Sequence, residues 1–228
     1  MAATSALDFE KPNALSDDAP HILVVDDDQR IRESLCELLS ALDIRAVAFG
    51  TAAAYIAHAK PDLPACLILD VELPDINGLD LQTTLADGNH APIVFVTGRG
   101  DIPASVRAMK AGAVDFLTKP FREADLLRAV HAAIAQDREA RRKRAEIAVL
   151  RQRLDSLTPR EREVLPLVVS GLLNKQAAGR LGISETTLQI HRSSIMRKME
   201  TASLADLVRA TAALEIPTPF SRHEKRSS

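Results

Sequence analysis

Apolar positions follow two rhythms along the chain. Up to about residue 136, short apolar runs alternate with stretches in which apolar residues recur every three or four positions. The runs His21 to Val25, Ala46 to Phe49, Ala65 to Leu69, Ile93 to Thr97 and Asp115 to Thr118 read as strands. Between them, helical patterns cover about Arg30 to Leu42, Thr51 to Ala59, Leu79 to Ala86 and Ile102 to Ala111, with Asp101 as a cap, and another begins near Glu123. Strands that alternate with helices predict an α/β unit, a doubly wound five-stranded parallel sheet. The nearly unbroken apolar strands fit a sheet covered on both faces. Ligands of such sheets sit at the carboxyl ends of the strands. From residue 123 to 154 the chain has neither Gly nor Pro, which extends the last helix into a helical linker over 137–156. Ile147, Leu150, Leu154 and Leu157 form a short coiled-coil-like seam there, or pack locally. Residues 157–216 predict a small all-α unit of four helices, and 217–228 a loose tail.

Composition changes this picture little. The chain has 228 residues, 46% hydrophobic and 26% charged, as a globular protein does. No apolar run approaches the ~18 residues of a membrane span, so no membrane partner is expected. Residues 1–19 lack the basic start and apolar stretch of a signal peptide and read as a disordered arm. Cys36 and Cys66 have neither metal-ligand nor disulfide spacing and suit reduced thiols in the cytoplasm. Charge is more informative. Residues 1–136 carry 11 basic and 20 acidic side chains, and residues 137–228 carry 18 and 11. An acidic half suits metal or phosphate handling, and a basic half suits a polyanion.

The chemistry gathers at the strand ends. The first strand runs into Asp26, Asp27 and Asp28, the third into Asp70, the fourth into Thr97 and the fifth into Lys119-Pro120. In a parallel sheet all four ends share one edge. Carboxylates crowded there repel one another unless a cation joins them, and oxygen ligands of this kind suit Mg²⁺. A lysine and a threonine converging on the same point suit a phosphoryl group. An aspartate can itself be the nucleophile and form an acyl phosphate. Asp28 reads as a helix-start residue, and Asp75 as part of the turn chemistry of the loop that follows Asp70.

These four motifs, together with Leu73-Pro74-Asp75-Ile76-Asn77-Gly78, Thr97-Gly98 and Phe116-Leu117-Thr118-Lys119-Pro120-Phe121, resemble the receiver domain of two-component response regulators over residues 20–136. The resemblance implies that Asp70 accepts a phosphoryl group from a sensor histidine kinase. It implies that Asp26 and Asp27 hold Mg²⁺ together with Asp70 and the backbone carbonyl of Glu72. Thr97 would bind a phosphoryl oxygen, Lys119 would pair with the phosphoryl group, and the Lys119-Pro120 peptide would be cis. Phe116 stands at the switch aromatic, which rotates inward behind Thr97, and Gly98 leaves room for the phosphoryl group. Glu72 and Arg99 flank the mouth of this site, where an exposed ion pair between them would slow hydrolysis of the acyl phosphate.

In the C-terminal unit, Thr158-Pro159-Arg160-Glu161 is a capping box with Pro at the first helical position. A helix from Asn174 to Leu181, a turn at Gly182-Ile183-Ser184 and a helix to about Met199 make a helix-turn-helix, and Ser203 to Leu214 forms a fourth helix. Leu188, His191, Ile195 and Met199 share the face that packs inward. The opposite face presents Thr186, Gln189, Ile190, Ser193 and Arg197 to a major groove. Lys175, Thr187, Arg192 and Lys198 are candidate phosphate contacts. Leu157-Thr158-Pro159-Arg160-Glu161-Arg162-Glu163-Val164-Leu165, with Gly171, Asn174-Lys175, Ile183-Ser184, Thr187 and His191-Arg192, resembles a LuxR-type DNA-binding domain. The combination resembles the NarL/FixJ class of response regulators. It implies a transcriptional regulator, not an enzyme beyond its own phosphorylation and dephosphorylation, that binds double-stranded promoter DNA and forms a homodimer on phosphorylation, with RNA polymerase as a candidate partner. Two features depart from the pattern. Pro166, inside the first helix of this unit, should remove a hydrogen bond and kink it, and Gln189 replaces a common basic residue. A haloacid-dehalogenase-type phosphatase would need a second Asp where Glu72 stands. A lactone sensor would need aromatic pocket walls, and this chain has no Trp and one Tyr.

Overall fold

The computed structural model describes residues 20–59, 62–85, 90–98 and 102–217. The arm expected over 1–19, nearly all of the tail, Arg99 and Asp101 lie outside the described residues. The chain divides into two compact units, with the boundary between Arg141 and Arg142.

The first unit alternates strand and helix: β1 (His21–Val25), α1 (Gln29–Ala41), β2 (Arg45–Phe49), α2 (Ala52–Ala57), β3 (Ala65–Asp70), α3 (Gly78–Leu85), β4 (Ile93–Thr97), α4 (Ile102–Lys110), β5 (Asp115–Thr118) and the start of α5 (Glu123–Asp155). The strands pair in parallel in the order β2-β1-β3-β4-β5. Strand side chains alternate between two cores. Leu23, Val25, Leu67, Leu69, Ile93 and Phe95 meet Tyr55, Leu81 and Ala108 from α2, α3 and α4. Ile22, Val24, Cys66, Ile68, Val94 and Val96 meet Leu35, Leu39, Leu126 and Val130 from α1 and α5. Both faces are covered, so the strands have no polar side to show, and the sequence reads as apolar runs. Local signals place the helix starts: Asp28 caps α1 through Arg30 N–H at 2.8 Å, and Thr51 caps α2.

The inward stripe of α5 runs Leu126, Ala129, Val130, Ala133, Ile134 and then Asp137. Asp137 is 2% exposed. Its Oδ2 accepts hydrogen bonds from Ala65 N–H at 2.9 Å and from Arg141 Nε at 2.7 Å, and Arg141 also pairs with Asp62. The first turns of the stretch read as linker are thereby fastened to the start of β3.

The second unit packs α6 (Pro159–Val169), α7 (Asn174–Leu181), α8 (Glu185–Lys198) and α9 (Leu204–Ala213) around Val164, Leu165, Val168, Leu188, Ile195, Met199 and Leu207. Leu157 is buried in this core, and Leu150 and Leu154 pack against it. Three of the four seam residues, Leu150, Leu154 and Leu157, thus pack locally. Thr158 and Glu161 form the expected reciprocal capping box. α6 continues through Pro166 to Val169, and the Pro166 carbonyl still accepts Ser170 N–H at 3.2 Å. Gly182, at φ 64°, ends α7 in a left-handed turn that a side chain would strain.

Candidate functional site

β1 connects toward β2 on one side of the sheet, and β3 leads toward β4 and β5 on the other. The chain therefore diverges between β1 and β3, the place where α/β sheets open a crevice at their carboxyl edge. Val25 lies opposite Leu69 in the ladder, which brings the next residues of both strands, Asp26 and Asp70, side by side. Asp26 and Asp70 are buried and Asp27 is exposed, and one carboxylate oxygen from each lies within 4.8 Å of the others.

Lys119 joins this group from the end of β5. Its Nζ donates to Asp26 Oδ2 at 2.6 Å and to Asp70 Oδ2 at 2.7 Å. The remaining oxygens have backbone donors: Asp28 N–H to Asp26 Oδ1 at 2.9 Å and Glu72 N–H to Asp70 Oδ1 at 3.1 Å. Burial pulls the Lys119 ammonium down, but its bonds to the two carboxylates outweigh burial and hold it above its ordinary value. Burial raises the carboxyl of Asp26, and Lys119 and the Asp28 N–H only partly offset that rise. A buried acid of this kind gains from any further cation at its oxygens. The donor set is three carboxylates with hard oxygen atoms in reach of one another, which fits Mg²⁺.

Thr97 is fully buried at the end of β4, and its carbonyl accepts Lys119 N–H at 2.7 Å. The Lys119-Pro120 peptide is cis. Phe116 is half-buried, with its ring 6.1 Å from that of Phe95. Among the described residues, a Cβ at Gly98 would meet nothing within 4 Å. At Gly78 a Cβ would lie 2.3 Å from the carbonyl oxygen of Asp70. The loop from Asp70 to Gly78 is that tightly closed, with Gly78 N–H on Val71 O at 2.8 Å and a bridge between Glu72 and Asn77.

Two residues exceed the sequence reading here. Asp75 reaches beyond its own turn: its carboxylate accepts Ala53 N–H at 2.9 Å and Ala52 N–H at 3.3 Å, capping the first turn of α2. These backbone donors hold its carboxyl below the usual range. Arg32 belongs to none of the motifs read from the sequence. Its Nη1 donates to the carbonyls of Asp26 at 2.7 Å and Asp27 at 2.9 Å. The signal that could have found it is a cation inside the inward stripe of α1, next to Ile31 and Leu35. The partner expected for Glu72, Arg99, lies outside the described residues.

In the second unit, α8 buries Leu188 and Ile195 and half-buries His191, and its C-cap Met199 is buried as well. Thr186, Gln189, Ile190, Ser193 and Arg197 are exposed, and Ile190 at 65% is unusually so for its type. Lys175 is exposed at the start of α7. Thr187 is half-buried in the cap of α8, with its hydroxyl 2.8 Å from Ser184 Oγ. Arg192 is half-buried and reaches Asn174 Oδ1 at 3.3 Å. Lys198, read as a candidate phosphate contact, has its Nζ on the buried carboxylate of Glu161 at 2.7 Å.

An acidic cluster bridged by a lysine at a sheet edge, joined in one chain to a helix-turn-helix with an exposed recognition face, is the combination expected of a regulator whose DNA binding answers to phosphorylation. Similarity to known proteins agrees. Residues 22–131 match the family described as response regulator receiver domain, and residues 155–211 match the family described as bacterial regulatory proteins, luxR family. Nodulation protein W of Bradyrhizobium diazoefficiens is 49% identical over 86% of each chain. Among solved structures, the response regulator StyR aligns at 44% identity with a TM-score of 0.73, covering 85% of this chain and 98% of its own. Full-length FixJ from B. japonicum aligns at 35% identity with a TM-score of 0.50, covering 87% and 98%. The chain belongs to the response regulators, in the NarL/FixJ class, and is a phosphorylation-dependent transcriptional regulator.

Proposed function

We propose that Asp70 is the phosphoacceptor and that its phosphorylation by a sensor histidine kinase governs promoter binding by α8. The observation that carries this reading is the bridge of Lys119 between Asp26 and Asp70. It sets a nucleophilic carboxylate beside a fixed cation at the open end of the sheet. A carboxylate oxygen of Asp70 forms the P–O bond as the P–N bond of the kinase phosphohistidine breaks. The electron pair leaves on the imidazole nitrogen, which takes a proton. Lys119 then follows the charge onto the phosphoryl oxygens, and Thr97 supplies a hydroxyl donor. Asp26, Asp27, Asp70 and the carbonyl of Glu72 would hold Mg²⁺, which supplies neutralisation of the transferring phosphoryl charge. The only reaction the protein promotes is its own phosphorylation and dephosphorylation.

Phe116 is the aromatic that follows Thr97, and the surface from α4 to β5 is the one that changes. α4 exposes Ile102 at 79%, Val106 at 46% and Met109 at 47% on one stripe, an apolar face suited to a second copy of the chain. In DNA binding, Gln189 and Ile190 read base edges, Thr186, Ser193 and Arg197 flank them, and Lys175, Thr187 and Arg192 hold phosphates. Lys198 is left out of that set. The protein works in the cytoplasm, where its operator DNA lies, with RNA polymerase as a partner at the promoter. Among the described residues no helix is long and apolar enough to cross a membrane. The proposed domain limits are 20–136 and 157–216.

The deciding experiment is intact-mass spectrometry after incubation with Mg²⁺ and acetyl phosphate. Wild type gains one phosphoryl mass and Asp70→Asn gains none. A phosphoryl group that persists on another aspartate of the variant removes Asp70 from this role. Sedimentation with and without a phosphoryl analogue and DNA tests the dimer, and an unchanged monomer throughout would eliminate it.

A further inference from the structure

We infer that Arg32 is a positioning residue for the acidic pair, setting the pose of Asp26 and Asp27 and through it the site's affinity for divalent cation. The inference rests on the reading of Asp26, Asp27 and Asp70 as the metal-binding acids. Arg32 touches neither the phosphoacceptor nor any reacting atom.

Its lever is the backbone. Arg32 stands one turn into α1 and uses a single nitrogen, Nη1, for both contacts, with the carbonyl of Asp26 at 2.7 Å and that of Asp27 at 2.9 Å. Two consecutive carbonyls therefore converge on one guanidinium. A trans peptide is planar, with its C=O and N–H pointing in opposite directions. The peptide that carries the Asp27 carbonyl also carries the N–H of Asp28. Pinning that oxygen to Arg32 aims the Asp28 N–H the other way, and it is found 2.9 Å from Asp26 Oδ1. That bond turns the other oxygen, Oδ2, toward Lys119 at 2.6 Å. A chain of contacts thus runs from the guanidinium through a rigid peptide to the carboxylate that shares Lys119 with Asp70.

The placement of Arg32 is fixed on its far side as well. A Cβ built on Gly50, just past β2, would lie 3.4 Å from Nη1, 3.5 Å from Cζ and 3.7 Å from Nη2, so the guanidinium rests against that glycine. A planar fork with several donors can bridge two carbonyls, whereas an ammonium on a flexible stem holds such a pair less rigidly. Lysine at this position keeps the charge and loses the alignment.

The test measures Mg²⁺ affinity of the full-length protein by isothermal titration, with the Asp28 amide resonance followed by NMR. The proteins are wild type, Arg32→Met, Arg32→Lys and Asp27→Asn. Removing a group that orients metal ligands weakens affinity roughly 10-fold to 100-fold. Arg32→Met is expected in that range and Arg32→Lys between it and wild type, with melting of Arg32→Lys unchanged and the Asp28 amide shifted in both. If Arg32→Met does not fold, Arg32→Lys alone decides. Affinity within about twofold of wild type in the folded Arg32 variants, against the 10-fold scale of such contacts, overturns the inference, provided Asp27→Asn has lost Mg²⁺. If Asp27→Asn binds Mg²⁺ like wild type, the reading of the acidic site itself is overturned.

Discussion

Lys198 Nζ lies 2.7 Å from Glu161 Oε2, tying the last turn of α8 to the first turn of α6 across 37 residues. The same carboxylate oxygen accepts Thr158 N–H at 2.8 Å. Burial raises the carboxyl of Glu161, but Lys198, Ser194 and Thr158 more than offset it and hold it down to about 2, against an ordinary value of 4.5. A depressed acid stabilises the fold above its unfolded value and loses that contribution as pH falls through the folded one. The second unit should therefore lose stability between about pH 4.5 and pH 2, on the order of 3 kcal/mol if the full shift is realised. Hydrogen exchange of residues 159–213 across that range checks this. Glu161→Gln should be weaker at pH 7 and should flatten the pH dependence. A profile as steep as that of wild type would deny the pair this role.

The same pair predicts how DNA binding divides among the lysines. Removing one phosphate-binding cation lowers the slope of log K against log salt by about 0.9. Lys175→Ala should show that change, because Lys175 is exposed at the start of α7. Lys198→Met should leave the slope unchanged and instead lower domain stability by ~3–5 kcal/mol, since it strands a buried carboxylate. Fluorescence anisotropy on labelled operator DNA at several salt concentrations, paired with thermal melting, separates the two effects. A Lys198→Met protein with wild-type melting and a reduced slope would return Lys198 to the DNA.

Two glycines near the site should respond in opposite ways to one methyl group. A Cβ at Gly78 would sit 2.3 Å from Asp70 O, whereas among the described residues one at Gly98 meets nothing within 4 Å. Gly78→Ala must displace the loop that carries Asp70, and overpacking of this kind costs typically about 1–3 kcal/mol. Gly98→Ala should fold as stably as wild type and slow phosphorylation, because the methyl enters space that the phosphoryl group needs. Melting temperature and the rate of phosphorylation by acetyl phosphate test both. Equal melting of the two variants would contradict the contrast.

What the sequence made legible follows from the range of each interaction. The strand ends that carry Asp26, Asp70, Thr97 and Lys119 are readable because a parallel sheet places every strand end on one edge. The caps at Asp28 and Thr158 are readable because each is set within three residues. The roles of Arg32, Asp75, Asp137 and Lys198 are not readable in this way. Asp75 meets α2 across 22 residues and Asp137 meets Ala65 across 72. The local pattern shows a charge on an inward stripe but not the group that receives it.

Asp137 links α5 to β3. It is the buried acid at the end of the inward stripe of α5, and it satisfies the Ala65 N–H at the start of β3 as well as the Arg141 guanidinium. Asp137→Ala leaves a buried N–H without its acceptor, a cost of about 1–3 kcal/mol, and releases Arg141 to Asp62 alone. The protein supplies its own reporter. It has no Trp and one Tyr, and Tyr55 is fully buried in the first unit. Tyrosine fluorescence during urea denaturation therefore follows the unfolding of that unit and not of the second. The midpoint of Asp137→Ala should fall, and that of Arg141→Met should fall at least as far, because it leaves the buried Asp137 carboxylate without its guanidinium. Phosphorylation should persist below the transition, since Ala65 and Asp70 lie at opposite ends of β3, separated by about 16 Å of extended chain. An unchanged tyrosine midpoint in Asp137→Ala would show that the buried acid does not hold α5 to the sheet.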